Sequence, residues 1–266
     1  MQSVDLTPFS KSVNAEAETY WDFRAPGYDE EVSGSLEAPE QKDKLVQMLF
    51  DKGVIDKNSD VLDLGCGPGH VTQAFAKRCK HVVGIDISAN MLALAEKRNR
   101  KYHNVSFTKM NWAEHQMNWK QTFDLVFANM SPAVCSVQTL KKMMEASRRW
   151  CFYSTFSQRS SKIKRQLDAL YGLCPVYDNV YYVFHILWSL GMQPTVWYET
   201  GTVQRKFTPK QAFDFYTNDY LGRGKEAEIE RIVRCHIAED GMVYENMRMK
   251  KGCVLWEVKK NEKETC

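Results

Sequence analysis

The sequence predicts an α/β fold: a Rossmann-like, doubly wound and mostly parallel sheet of seven strands, with an N-terminal helical arm and a helical cap. Three observations predict it. Short apolar runs alternate with helical patterns of about ten residues between residues 60 and 156, the rhythm of parallel strands joined by crossover helices. The first apolar run stops at a cluster of glycines, as a buried strand feeding a tight loop does. The 266 residues, 44% hydrophobic and 26% charged, suit one well-buried domain with an insertion.

Taken in order, residues 1–53 read as a mainly helical arm, with Lys44 to Phe50 packing against the sheet, and residues 54–266 as the main domain. Asp60-Val-Leu-Asp-Leu64 is the first strand, and Val71, Ala74, Phe75 and Ala76 then recur at helical spacing. His81-Val-Val-Gly-Ile-Asp86 is the second strand. Ser88 follows as N-cap of a helix whose apolar face is Met91, Leu92, Leu94 and Ala95. Asn104 to Thr108, Phe123 to Asn129 and Cys151 to Phe156 are strands three to five, with a helix near Val137 to Arg148 before the fifth. Thr195 to Val203 and Gly252 to Lys259 complete the sheet. Between 157 and 242 the helical patterns at Ile163 to Tyr171, Val180 to Leu190 and Pro209 to His236 exceed one crossover, so part of this stretch is expected to cap the sheet's carboxyl edge.

Composition excludes several classes of function. No run approaches the roughly 18 to 20 apolar residues of a membrane span, and Met1 to Ser10 lacks the pattern of a secretory signal, so a cytoplasmic protein is expected. The formal charge is only +3, and Lys141-Lys142, Arg148-Arg149 and Lys162 to Arg165 are short enough to be solvated helix faces, which argues against a nucleic-acid partner. Eight scattered cysteines form no C-x-x-C pair and no Cys/His quartet at zinc spacing. Reduced thiols and no metal are expected.

The most informative segment is Val61-Leu-Asp63-Leu-Gly65-Cys66-Gly67-Pro-Gly69-His70. Glycines between a strand and a helix let the backbone turn sharply and approach a ligand closely. Asp86 ends the next strand, 21 residues after Gly65, where an acid accepts hydrogen bonds from ribose hydroxyls in nucleotide-binding α/β folds. A dinucleotide site would carry G-x-G-x-x-G, but His70 stands at the third glycine, and the extra acid Asp63 precedes the bend. S-adenosylmethionine has no phosphate to cradle and carries an ammonium group that an acid can meet.

This segment resembles the first motif of class I S-adenosylmethionine-dependent methyltransferases. Gly84-Ile-Asp86-Ile-Ser88-Ala-Asn-Met91-Leu resembles the next motif in their ubiquinone/menaquinone-type, small-molecule branch. The likeness extends more loosely through Asn111-Trp112-Ala-Glu114 and Phe123 to Asn129, covering about residues 45–156. It implies S-adenosyl-L-methionine as cofactor, with Asp63, Gly65, Cys66, Gly67 and Gly69 around its methionine part. Asp86 would hold the ribose, with Ile87 and Met91 against the adenine. Asn111 would contact the adenine amino group beside Trp112, and Asn129 lies where the family joins cofactor to substrate. Met91 and Trp112 also read as core packing, and Asn111 and Asn129 as turn formers.

Toward the substrate the sequence is less specific. Asn129-Met-Ser-Pro132 departs from the N-P-P-[YF] motif of amino-group methylases, because two residues separate Asn from Pro and no aromatic follows. Tyr20-Trp-Asp-Phe-Arg24-Ala-Pro-Gly-Tyr28-Asp29 is either a lid over the cofactor, with Tyr28 in the site and Tyr20 toward substrate, or an arm anchored by its aromatics. Tyr177 to Trp188, with Tyr181 and His185, is either a substrate box or the cap's own core. Transfer from a sulfonium is an in-line displacement that needs alignment and exclusion of water. A base is required only if the acceptor must first lose a proton, and no residue stands out as one. The expectation is a methyltransferase with a small-molecule acceptor. The alternatives are an RNA- or protein-modifying enzyme, or a non-catalytic S-adenosylmethionine-binding module.

Overall fold

The computed structural model describes residues 15–33, 35–116, 118–173, 179–220 and 222–258. Val61, Leu62 and Leu64 are fully buried in β1 (Asp60–Leu64). The sheet continues through β2 (His81–Asp86), β3 (Val105–Lys109), β4 (Phe123–Asn129), β5 (Ser147–Ser160), β6 (Thr195–Phe207) and β7 (Val243–Glu257). Its order is β3-β2-β1-β4-β5-β7-β6. The pairs β1–β2, β1–β4, β2–β3 and β4–β5 are parallel, with Asp63 opposite Gly84 and Leu62 opposite Val126. This is the doubly wound, mostly parallel seven-stranded sheet that the alternating pattern predicts. The chain runs outward from β1 to β3 on one side and from β4 on the other. At such a switch point, consecutive crossovers leave opposite faces and open a crevice at the strands' carboxyl ends.

Helices α1 (Ala15–Arg24), α2 (Tyr28–Val32) and α3 (Pro39–Asp51) precede the sheet, while α4 (His70–Ala76), α5 (Ala89–Asn99) and α6 (Val137–Ala146) join its parallel strands. Two cores result. One joins Leu45, Val46 and Leu49 of α3 to Phe75, Phe127 and Phe152, with Phe127 and Phe152 stacked at 4.5 Å between ring centres. The other joins Leu62, Val126, Leu140, Met143 and Trp256 to Val183 and Leu187 of α8 (Asn179–Ser189). Burying each such side chain contributes about 1.5–3 kcal/mol.

The chain divides into two compact units. The first comprises the described residues up to 155 with those of 178–198 and from 252 on; the second comprises residues 156–177 and 199–251. Helix α8, one of the three helical stretches expected in part to form the cap, belongs with the first unit, where Val180, Val183, Ile186 and Leu187 fill the sheet's core. Nor is the second unit purely helical: α7 (Lys162–Leu170), α9 (Pro209–Asp219) and α10 (Glu226–Arg234) are joined there by stretches of strand. Its core unites Ile163, Leu167, Ala212, Tyr216, Ile229 and Val243. Strand β7 begins nine residues before the expected Gly252, where burial alternates from Val243 to Met249 and then becomes continuous. Lys259 and Tyr177 lie outside the described residues. No described helix is long and apolar enough to cross a membrane.

Candidate functional site

A hollow of about 800 Å³, counted with its mouth, opens where β1, β2 and β4 end. The bend after β1 is fixed by its backbone. The amides of Gly65 and Cys66 both donate to the carbonyl of Ile85, at 2.8 and 2.9 Å. Gly65 has φ +66°, and a Cβ there would lie 2.0 Å from Ser131 Oγ. Gly67, at φ +53°, would meet nothing within 4 Å, so its open side is left to the hollow that it lines. Only glycine adopts both positions without strain.

Asp86 faces this bend. Its Oδ2 accepts from the Gly67 amide at 2.8 Å and its Oδ1 from the Ser88 amide at 2.9 Å. A carboxylate offers about four lone-pair sites, so Asp86 can accept from a ligand hydroxyl beside these amides. Burial raises the Asp86 pKa, against the pull of these N–H groups. Ser88 caps α5 through its Oγ, which accepts from the Met91 amide at 3.0 Å. Asp63 is 2% exposed; burial pushes its carboxyl up to about 7, opposed by the Thr72 hydroxyl at 2.7 Å and by Lys42.

Of the residues singled out in the sequence, Asp63, Gly65, Cys66, Gly67, Asp86, Ile87, Asn111, Trp112, Asn129 and Tyr28 all line the hollow. Trp112 also packs in the core, its indole N–H donating to the Thr139 carbonyl at 3.2 Å. The Asn111 Oδ1 accepts from the Ala113 amide at 3.1 Å, so the turn and the ligand-facing position coincide in one residue. Both polar atoms of Asn129 are engaged: its Nδ2 donates to Glu37 at 2.8 Å and its Oδ1 accepts from Ser154 at 2.9 Å. Its carboxamide joins β4 to β5 and to the arm.

Five residues fall elsewhere. Gly69, at φ +78°, caps α4, and a Cβ there would strike Ala95 and Asn99, so it serves helix packing. Met91 is buried behind the α5 cap, outside the lining. Tyr20 is 46% exposed and bonds Arg24 at 2.8 Å, while its neighbour Trp21 turns into the hollow. Tyr181 and His185 pair at 4.3 Å on the α8 flank opposite its buried side chains, outside the hollow.

Sequence reasoning missed Ala17, Trp21, Lys42, Met110 and the stretch Met130 to Ala133, which also line the hollow. Lys42 had a readable signal: it lies three, four and seven residues before Leu45, Val46 and Leu49, on the buried face of α3. Met130 takes φ +55°, a conformation costing about 1 kcal/mol outside glycine, and its amide reaches both the carbonyl and hydroxyl of Ser154 at 3.1 Å.

The arm is bolted onto the loops just described. Asp22 Oδ1 accepts from Ser88 Oγ at 2.5 Å and from the Asn90 amide at 3.1 Å, and Lys109 pairs with Glu18 at 2.6 Å. Asp29 meets His70 Nε2 at 2.7 Å and also pairs with Arg98, which donates to the Pro68 carbonyl. Burial alone would raise the Asp29 carboxyl, but these partners outweigh it and hold it low.

The donor set suits a nucleoside bearing an amino acid: an acid for the ribose, an open glycine backbone, and apolar and amide contacts beyond. Residues 61–151 match the family model of a methyltransferase domain. Over 86 residues the chain is 30% identical to an uncharacterized methyltransferase of Schizosaccharomyces pombe, covering 32% of each protein. Over 103 residues it is 32% identical to a probable ribosomal RNA small subunit methyltransferase A of Methanococcus aeolicus, covering 38% of this chain and 37% of that one. The chain thus spans about a third of the length of these curated relatives. In fold it is similar to a phosphoethanolamine N-methyltransferase of Haemonchus contortus, solved with phosphomonomethylethanolamine and S-adenosylhomocysteine. That likeness has a TM-score of 0.55 at 16% identity, over 97% of this chain and 61% of the other.

Proposed function

We propose that this chain is an S-adenosylmethionine-dependent methyltransferase that acts on a small molecule in the cytoplasm. The observation that carries the reading is the Asp86 carboxylate, clasped to the Gly67 amide at 2.8 Å across an open hollow at the sheet's switch point. Asp86 would bind the ribose hydroxyls and Asp63 the ammonium, with Ile87, Asn111 and Trp112 around the adenine. When bound, the cofactor supplies an electrophilic methyl on a sulfonium whose departure leaves a neutral thioether.

The chain's own residues then have two tasks, alignment and exclusion of water. Trp21 and Tyr28 wall the mouth from the arm side, while Met130 and Pro132 wall it from β4. That enclosure favours a small acceptor over a nucleic acid or protein chain. Asn129 orients the floor, its Nδ2 held by Glu37 and its Oδ1 by Ser154, and Asn129-Met-Ser-Pro132 departs from the spacing of the N-P-P-[YF] enzymes, so their route is not the one favoured here. The motif Gly84-Ile-Asp86-Ile-Ser88 supports the ubiquinone/menaquinone-type branch.

Calorimetry with S-adenosylhomocysteine tests the site. Wild type should bind, and Asp86→Ala should lose about 100-fold or more in affinity while the domain stays folded, since two bonds from ligand hydroxyls to a charged acid are removed. Unchanged affinity would overturn the assignment. Tritium transfer from labelled cofactor into metabolite fractions tests the acceptor class. Incorporation into RNA alone, lost at high salt, would favour a nucleic-acid acceptor instead.

A further inference from the structure

Helix α6 carries two adjacent lysines that read alike in the sequence, yet Lys141 is exposed and Lys142 is half-buried. Lys142 Nζ donates to the Trp112 carbonyl at 2.6 Å and also to the His115 carbonyl, and it stands 4.6 Å from the centre of the Trp112 ring. Burial lowers its pKa, since the carbonyls and the ring replace only part of its water. Three residues earlier, on the same face of α6, the Thr139 carbonyl accepts from the Trp112 indole N–H at 3.2 Å. The segment so held is a single helical turn. The His115 amide donates to the Asn111 carbonyl at 3.0 Å, and Asn111 Oδ1 accepts from the Ala113 amide at 3.1 Å. A lysine on the last carbonyls of such a turn stabilises it as a C-terminal cap does. Asn111 and Trp112 line the candidate site, whereas Lys142 lines a separate hollow with Trp112, His115 and Trp119. The lysine therefore acts on the site from outside it.

We infer that Lys142 is a positioning residue that fixes the turn from Asn111 to His115 and thereby makes the site select an amino-bearing purine over its oxo counterpart. This rests on the reading of the hollow as an S-adenosylmethionine site. The Ala113 amide holds Asn111 Oδ1, so the carboxamide keeps one orientation while the turn keeps its shape. That oxygen has a second lone pair for a purine amino group and repels a purine carbonyl. Without the ammonium, the Trp112 and His115 carbonyls lose their shared donor and the turn loosens. The carboxamide is then free to rotate and present its NH2 group to a carbonyl instead.

The test compares S-adenosylhomocysteine with S-inosylhomocysteine, which differ only in carrying adenine or hypoxanthine. In calorimetry, wild type should prefer the adenine ligand by about tenfold or more, the worth of one hydrogen bond set against one unpaired group. Lys142→Met should cut that preference to about threefold or less by weakening the adenine ligand alone, because a preset contact is lost. Lys142→Gln, neutral and too short to span both carbonyls, should do the same, and it decides the matter if the methionine variant does not fold. Lys141→Met removes the same charge from the same helix and should leave both affinities unchanged. In an Asn111→Ala background, Lys142→Met should change the preference no further, since the lysine acts through Asn111. Equal losses for both ligands in the Lys142 variants, an unchanged preference, or no preference in wild type would overturn the positioning role while leaving the site intact. Wild type binding neither ligand would overturn the site reading and the positioning role with it.

Discussion

The two walls of the hollow are built on different principles. The sheet wall consists of strand ends and a glycine bend whose positions follow from buried apolar packing and backbone bonds, such as the pair of amides on Ile85. The arm wall is held by polar contacts, several of them half-exposed: Asp22 on Ser88 and Asn90, Glu18 on Lys109, Asp29 on His70. Packing of the first kind is hard to deform, whereas bonds of the second kind break and re-form at little cost. Under the proposed function, recognition of the nucleoside falls to the sheet wall and admission of ligands to the arm wall. The contrast also orders the effects that substitutions should have.

The largest effect is expected where the sheet wall has no slack. Gly65→Ala places a methyl 2.0 Å from Ser131 Oγ on a residue whose φ is +66°. Left-handed strain together with overpacking should cost about 2 to 5 kcal/mol. Urea denaturation would read this as a lower midpoint, and S-adenosylhomocysteine binding should fall with it. Gly67→Ala is the control: it meets nothing within 4 Å, so only the conformational cost of about 1–2 kcal/mol applies. If the two variants were equally stable, the sheet wall would be softer than its geometry implies.

A smaller effect is expected from Asp63, whose carboxyl is pushed up to about 7 by burial. Between its unfolded value near 3.8 and about 7, the folded state holds a proton that the unfolded chain has released. Stability should therefore fall as pH rises through this window. Ligand binding runs the opposite way, because an ammonium partner favours the carboxylate. Affinity for S-adenosylhomocysteine should rise by up to about tenfold per pH unit below 7 and level off above it, with a proton released on binding. Calorimetry in buffers of different ionisation enthalpy detects that proton. Asp63→Asn should flatten both profiles, and a pH-independent affinity in wild type would detach Asp63 from the ligand.

How much of this was legible in the sequence follows the same division. Buried parallel strands are continuous apolar runs that end at glycines, so β1, β2 and β4 could be placed within a residue or two, and Asp86 with them. The arm could be seen as aromatic but not oriented: Tyr20 and Trp21 are adjacent, and only the helix's rotation decides that Trp21 faces inward. Helix α8 is apolar on most of its circumference, so its sequence did not say which flank meets the core, and Tyr181 and His185 fell on the other one. Lys42 was overlooked because a lysine ordinarily marks a solvated face, although its spacing from Leu45 and Leu49 places it among the buried side chains.

The smallest expected effect lies at the arm. Asp22 accepts from Ser88 Oγ at 2.5 Å and from the Asn90 amide, and these bonds hold its carboxyl below the usual range. Ser88 is two residues from Asp86, so the arm docks on the same turn that presents the Asp86 carboxylate. Asp22→Ala removes this bolt but leaves Lys109 with Glu18 and Asp29 with His70 in place. Equilibrium affinity for S-adenosylhomocysteine should therefore fall only about threefold, within the range of a half-exposed polar pair. The kinetic consequence is larger in kind: an arm released more often lets the ligand leave sooner, so stopped-flow dissociation should accelerate while the melting temperature stays near wild type. Slower association at unchanged dissociation would reverse the assignment and make the arm a guide for entering ligands, with their retention left to the sheet wall.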